Sequence, residues 1–323
     1  MEGMGRFIIR RLIGMIAVLF AISVLVFLIF NVIPNSDPAQ RIAGKNANPA
    51  LIARVRADLG LDQSIVTQYL TMMKRIFTGT LTSYASSQNV GEQIWKGLPA
   101  TLSLCIGAAV LWMALAVVFG YLSAVHAGKF TDRTLTILAL VGISVPVFWL
   151  AAILLYYLSF KAQIFPTSSY VPLTKNPGQW AYHLVLPWIT LAVLFVGFYS
   201  RVLRSNMLDV MNEDYVRTAR AKGISERQIR IKHVLRNSMI PIITLFGLDF
   251  GAVVGGGAIL TETVFNINGV GLYAGQAIGS LDLPPLMGVT MFGAFFIVLF
   301  NTVVDVLYAF LDPRIRLGEA APA

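Results

Sequence analysis

Long apolar runs separated by polar stretches dominate the chain. Six of them are long enough for the roughly 20 residues of helix that cross a hydrocarbon core about 30 Å thick. They cover 7–32, 98–125, 134–160, 184–203, 239–260 and 286–311. The pattern predicts an all-α integral membrane protein with about six transmembrane helices. Arg6, Arg10 and Arg11 precede the first run, as in a signal peptide, but the run continues past twenty residues to Ile33-Pro34 without a clear small-x-small cleavage site. A cleavable apolar region spans only about 7–15 residues, so the segment reads as a retained anchor.

Two polar stretches are too long to be connectors. In 34–97, an amphipathic segment Pro49–Leu59 is followed by Gly60-Leu61-Asp62 and by helical spacing over Gln68–Phe77. This predicts a cap of short helices packed over the spans, which either docks an external partner or shields the bundle. In 201–237, Glu213 and Asp214 suit a helix N-terminus and Gly223 suits the position just past its C-terminus. Ser225 with Gln228 three residues later is a capping-box pattern opening a second helix, which leads through Pro241 into the fifth span. On the first helix Tyr215, Thr218, Ala219 and Lys222 share a face by i, i+3, i+4, i+7 spacing. An aromatic anchor beside small residues suits a groove on a protein partner. A helix lying on lipid would carry a strong apolar stripe, which Tyr215–Lys222 lacks. A DNA-binding helix-turn-helix is disfavoured by the two spans that flank the loop within a few residues.

Composition and charge refine this picture. Apolar residues are 56% of the 323 and charged residues 13%, about half the roughly 25% usual for a soluble domain. That argues against a soluble enzyme. Lysine and arginine total 25 against 16 acidic residues, a formal charge of +9. The location of these charges gives an orientation, because cytoplasmic loops are enriched in Lys and Arg. Arg6, Arg10 and Arg11, then Lys129 and Arg133, then nine basic residues in 201–237, then Arg314 and Arg316 occupy alternate segments, while 261–285 has none. Both termini and the 201–237 loop are therefore expected in the cytoplasm, and nucleic acid is not needed to explain the charge. Cys105 is the single cysteine, so no intrachain disulfide is possible and redox compartment is not indicated.

Inside the spans, Pro146 and Pro187 permit kinks. Gly251 and Gly255 form a GxxxG followed by Gly256 and Gly257, which suits close helix packing or a helix that bends beside a pathway. Asp249 and Asp305 are carboxylates in apolar sequence, where charge is expensive and turns toward a cavity or partner. Asp249, near mid-membrane, is the pathway candidate. Asp305, close to Asp312-Pro313-Arg314, suits an interfacial contact. The chain contains no GxxxxGK[ST] phosphate loop, and His126, His183 and His233 form no metal-ligand spacing.

At the 201–237 loop the sequence resembles the permease subunits of bacterial ABC importers, specifically the peptide/nickel branch. The general family carries a Glu-Ala-Ala-x-x-x-Gly loop, then nine residues, then Ile-x-Leu-Pro. Aligned on Gly223, Arg217, Thr218 and Ala219 fall at Glu-Ala-Ala and His233-Val234-Leu235-Arg236 at Ile-x-Leu-Pro, so only Ala219, Gly223 and Leu235 match. The branch form is closer: "DYVRTARAKG", then "HVLRNSMIP" ending at Pro241. Further matches are "RFIIRRL", "DLGLDQSIVTQYL", "LPATLSL", "GISVPVFW" at Gly142–Trp149, "LPWITLA" at Leu186–Ala192, "ETVFNINGVG" at Glu262–Gly271 and "FLDPRIR" at Phe310–Arg316. The stretch "FTGTLTSYASS" departs from the family's Gly-Asp-Leu-Gly-x-Ser type, with Thr80 in place of the Asp.

The resemblance implies a permease without chemistry of its own in the bacterial plasma (inner) membrane. It divides the chain into an N-terminal helix (1–33), an extracytoplasmic helical loop (34–97), a five-helix core (98–312, with the coupling loop at 204–238) and a cytoplasmic tail (313–323). Implied partners are a second homologous permease, two ATPase subunits that bind ATP and Mg, and an extracytoplasmic substrate-binding protein; no cofactor is expected on this chain. ATPase-coupling residues would be Asp214, Tyr215, Arg217, Thr218, Ala219, Ala221, Lys222 and Gly223. Pathway candidates are Asp249, Gly255, Pro146, Phe148 and Glu262. Short peptides are the expected cargo, with nickel chelates, glutathione or haem-like cargo as alternatives. An ion-coupled secondary transporter usually shows internal repeats, and none is found. A membrane-embedded enzyme would need a nucleophile, base or metal set, for which Asp249 and Asp305 are too little.

Overall fold

The computed structural model describes residues 2–29, 39, 49–280 and 282–311. The Ile33-Pro34 break, the start of the outer loop and the tail from Asp312 onward lie outside the described residues. Twelve helices are described: α1 (Glu2–Phe27), α2 (Pro49–Leu59), α3 (Ile65–Phe77), α4 (Val90–Val125), α5 (Phe130–Ser144), α6 (Val147–Lys161), α7 (Pro177–Val210), α8 (Asp214–Ala221), α9 (Glu226–Gly257), α10 (Ile259–Val264), α11 (Val270–Ser280) and α12 (Leu283–Leu311). No strand is found among the described residues; Thr82 and Asn89 form one isolated bridge. Helices α1, α4, α7, α9 and α12 are each long and apolar enough to span a bilayer, and α5 with α6 makes a sixth span if the bent pair is counted as one.

That third span is the largest departure from the expected run 134–160. Its two halves meet at an angle of 100°. Proline disfavours helical geometry at the residue before it, and Val145 is extended at φ −83° and ψ 123°. Pro146 then caps α6 from the β region. At 1.5 Å per residue, α5 is about 22 Å long, too short to cross the hydrocarbon core alone. Pro99, Pro187 and Pro241, by contrast, remain inside continuous helices.

Other boundaries also shift. Helix α4 begins at Val90 and takes in residues expected in the outer loop. The second loop helix and the fifth span, expected as separate pieces, form the single helix α9, which leaves helical geometry only at Gly256 (φ 164°, ψ −16°). The expected 261–285 loop contains α10 and α11.

The described residues form two units. One holds 1–99, 254–259 and 269–323. In it α1 packs along α12, with Arg11 Nη1 2.6 Å from Asp305 Oδ2. The cap helix α3 starts at Ser64, whose hydroxyl accepts from the Thr67 amide. It lays Met72 against Val26, Phe27 and Met287. Ser23 Oγ and Tyr69 Oη are hydrogen-bonded at 2.7 Å. The stretch after α3 is fastened by Asp282, whose buried carboxylate accepts from the Ser83 hydroxyl (2.5 Å) and the amides of Tyr84 (3.1 Å) and Ala85 (3.2 Å). Burial raises the Tyr84 phenol above its ordinary range. Burial, with a smaller contribution from the Asp282 charge, pushes Tyr273 up to about 12.

The other unit holds 100–253 and 260–268. Trp112 is fully buried there and stacks on Phe195 at 4.4 Å between ring centroids. Asp132, in the first turn of α5, receives a fork from Arg204 of α7, with Nε and Nη2 each at 2.7 Å. The Ser123 hydroxyl and the Gly128 amide also donate to it. Removing one partner of a buried pair strands the other charge. Asp132→Ala is expected to cost about 3 kcal/mol, the lower end of the usual range because Arg204 is 30% exposed. Arg217→Ala, which breaks an exposed pair with Asp214, should leave stability unchanged. Thermal unfolding of both variants in detergent checks the contrast.

Candidate functional site

The cytoplasmic-type loop of the sequence folds onto the second unit as α8, a tight turn and the start of α9. Glu213 is the N-cap of α8 and Asp214 its first residue, so negative charge meets the positive end of the helix. At the other end the amide of Gly223 bonds to the Arg220 carbonyl (2.9 Å) and that of Ile224 to the Ala219 carbonyl (3.2 Å). This is a Schellman closure. It needs the left-handed φ of +75° that Gly223 adopts and a side chain resists.

Beyond the turn, Ser225 sits at the N-cap of α9 but makes no side-chain capping bond, so the expected capping box is not formed. Glu226 supplies the ties. Its carboxylate accepts from Arg220 Nε at 2.7 Å, across the glycine turn, and lies 3.8 Å from Arg230. Residues Ile229–Leu235 then run as wide π-helical turns into the straight part of α9.

Burial corrects the expected face of α8. Val216 is fully buried and Ala219 only 7% exposed, both packed in a cluster with Leu203 and Met207 of α7 and Ile229 and Val234 of α9. Ala219 therefore seats the helix on its own chain and is removed from the outward face, because an eight-residue amphipathic helix buries the stripe carrying its valine. The candidates left outward are Asp214, Tyr215, Arg217, Thr218, Ala221 and Lys222, and Arg220 is exposed beside them. The Tyr215 hydroxyl accepts from Asn237 Nδ2 at 2.7 Å, which ties α8 to α9. Thr218 Oγ1 donates to the Asp214 carbonyl at 3.0 Å.

The pathway candidates have separate surroundings. Asp249 is half-buried, and its Oδ2 accepts from the Tyr199 hydroxyl at 2.6 Å. Pro146 stands at the bend between α5 and α6, and Phe148, two residues later, is 52% exposed. Glu262, in α10, is fully buried. Gly255 belongs to the other unit. A Cβ there would lie 2.8 Å from the Gly293 carbonyl oxygen, so its lack of a side chain serves a backbone-to-backbone approach of α9 and α12. No group of three or more His, Cys, Asp or Glu residues placed to hold a metal occurs among the described residues.

Sequence reasoning missed Tyr199 as the donor to Asp249, the Asp132–Arg204 fork and the Asp282 anchor. Asp132 and Arg204, which flank apolar runs, gave a signal in kind but not in pairing, being 72 positions apart. Asp282 gave none.

The chain matches two family models. The binding-protein-dependent transport system inner membrane component covers residues 116–317, and the N-terminal component of such systems covers 4–105. It is 35% identical to a "probable peptide ABC transporter permease protein" of Sinorhizobium fredii, over 97% of this chain and 100% of that one. It is 37% identical to a "probable D,D-dipeptide transport system permease protein" of Escherichia coli, over 96% and 97%. A glutathione transport system permease protein of Salmonella choleraesuis is also 37% identical, over 97% and 99%. Components of this family are membrane permeases rather than enzymes, and they work with ATPase and substrate-binding proteins. With most of its length inside these matches and several helices able to span a bilayer, the chain belongs to the inner membrane permease components of binding-protein-dependent ABC transport systems.

Proposed function

We propose that this permease forms half of a translocation pathway for short peptides and couples to ATPase subunits through the outward face of α8. The observation that carries the coupling role is the contrast within α8. Val216 and Ala219 bind it to its own chain, while Tyr215, Thr218, Ala221 and Lys222 remain outward with small side chains beside an aromatic ring. The names of the relatives, peptide and D,D-dipeptide among them, support peptide cargo over nickel chelates or haem-like cargo.

In this reading a second homologous permease supplies the other half. Two ATPase subunits, which carry ATP and Mg, sit below, and a substrate-binding protein sits on the outer face. Both chain termini lie in the cytoplasm, as the Lys and Arg distribution supports. Anchor, outer loop, core and tail follow one another along the chain, the core being entered through α4 from Val90 rather than at 97. Motion of α8 reaches the membrane through Asn237 and the unbroken α9. Asp249, held by Tyr199, lines the route together with Pro146 and Phe148, whereas Glu262 is fully buried and does not face it, and Gly255 sets how closely α9 meets α12.

Thr218→Glu and Ala221→Glu should leave membrane levels normal but abolish stimulation of ATPase activity by loaded binding protein in the reconstituted complex. Unchanged stimulation would sink the coupling role. Ala219→Glu should instead lower the amount of folded chain. For orientation, Cys105 is first replaced by Ala. A cysteine introduced at Ala221 should then react with an impermeant maleimide only after the membrane is opened, and one at Lys175 should react in intact cells. In proteoliposomes, uptake of a labelled dipeptide should need ATP and stop with vanadate; uptake driven by an ion gradient alone would point to a secondary transporter.

A further inference from the structure

Helices α5 and α7 enclose a cleft of about 830 Å³ in the second unit, separate from the face of α8. Arg133, Arg201 and Arg204 line it, together with Ile137, Ile143 and Phe198. Arg204 is neutralised by its fork to Asp132. Arg133 and Arg201 are exposed and form no ion pair among the described residues. The cleft therefore keeps two uncompensated guanidinium groups. Thr136 of α5 and Ser205 of α7 add hydroxyls to its lining.

The order of these side chains matters more than their sum. Arg133 immediately precedes one apolar run and Arg201 stands near the end of another, so both sit where a span meets the headgroup layer. Along α5, Ile137 lies about 6 Å and Ile143 about 15 Å deeper than Arg133, at 1.5 Å per residue. On α7, which runs the opposite way, Phe198 lies about one turn deeper than Arg201. Ile137 is 60% and Phe198 41% exposed. Positive charge at the headgroup level with apolar surface below it is the order of groups along a phospholipid. A small charged peptide would meet cations but leave the apolar wall uncovered.

We infer that this cleft binds an anionic phospholipid, with the phosphate between Arg133 and Arg201 and an acyl chain along Ile137, Ile143 and Phe198. Basic pockets between membrane helices hold such headgroups through charge and hydrogen bonds together. Bidentate guanidinium donors suit phosphate oxygens better than a point charge does.

The test is lipid retention by the purified full chain in detergent, read by native mass spectrometry with phosphatidylglycerol or phosphatidylcholine of the same chain length. Phosphatidylglycerol should be retained in preference, and millimolar inorganic phosphate should not displace it. Each arginine-to-alanine change should weaken binding about fivefold, and Arg133→Ala with Arg201→Ala together should weaken it roughly 25-fold. Arg133→Lys with Arg201→Lys, which spares the charge should the alanine pair fold poorly, should keep the preference for phosphatidylglycerol. Arg227→Ala, outside the cleft, should change nothing. Equal retention of the two lipids, or binding indifferent to both arginine pairs, overturns the inference. Displacement by inorganic phosphate or dialanine overturns it as well. So does an Ile137→Cys crosslink to a second polytopic chain in the purified complex with no lipid retained.

Discussion

The fork between Arg204 and Asp132 fixes the end of α7 on which the rest of the second unit is built. A carboxylate at the end of a span is costly unless its charge and lone pairs are matched. Asp132 meets that condition with four donors, drawn from the end of α4, the turn after it and α7. Three chain segments are thereby held by one group. The same stretch of α7 presents Leu203 and Met207, against which α8 is seated. The fork also neutralises Arg204 and so leaves the charge of the neighbouring cleft to Arg133 and Arg201. The seat of α8 and the cleft thus both rely on one braced helix end.

The first unit solves a similar problem with a different residue. Asp282 holds Ser83, Tyr84 and Ala85, nearly two hundred positions away, and so fastens the stretch that departs from the family pattern at Thr80. Here too a buried carboxylate saturated by hydroxyl and amide donors takes the place of secondary structure. The cap helix α3 is attached by other means, through Tyr69 and Met72. It is therefore tied to the spans independently of the strap that follows it.

The spans were legible in the sequence because the bilayer imposes a length and a composition that no other environment demands. The helix–glycine–helix loop was legible because Glu213, Asp214 and Gly223 obey local rules of helix ends. What failed required knowledge of distant neighbours. Pro146 announced a kink, but the 100° bend depends on Val145 leaving helical geometry for the β region. Pro241 looked like a joint, yet it sits within an unbroken helix whose flanking turns satisfy the backbone. Ala219 matched the outward face by spacing alone, and only the packing of Val216 shows which side of α8 is buried. The stretch 261–285, rich in glycine and free of basic residues, read as a loop although α10 and α11 occupy it. The partners Tyr199–Asp249 and Asp132–Arg204 are pairings across helices, which periodicity along one helix does not encode.

The wide turns at Ile229–Leu235 have a geometric consequence for everything that follows them. A π-helical turn takes up one residue more than an α turn, and one residue of α-helix corresponds to about 100° of rotation about the axis. The number of residues in that short stretch therefore sets the compass bearing of the whole membrane part of α9. Asp249 points at Tyr199, and Phe246 at Trp112, because of a count made some twenty residues earlier. Length of the Ile229–Leu235 stretch and aim of the half-buried Asp249 carboxylate are one variable, so neither is free to drift without the other.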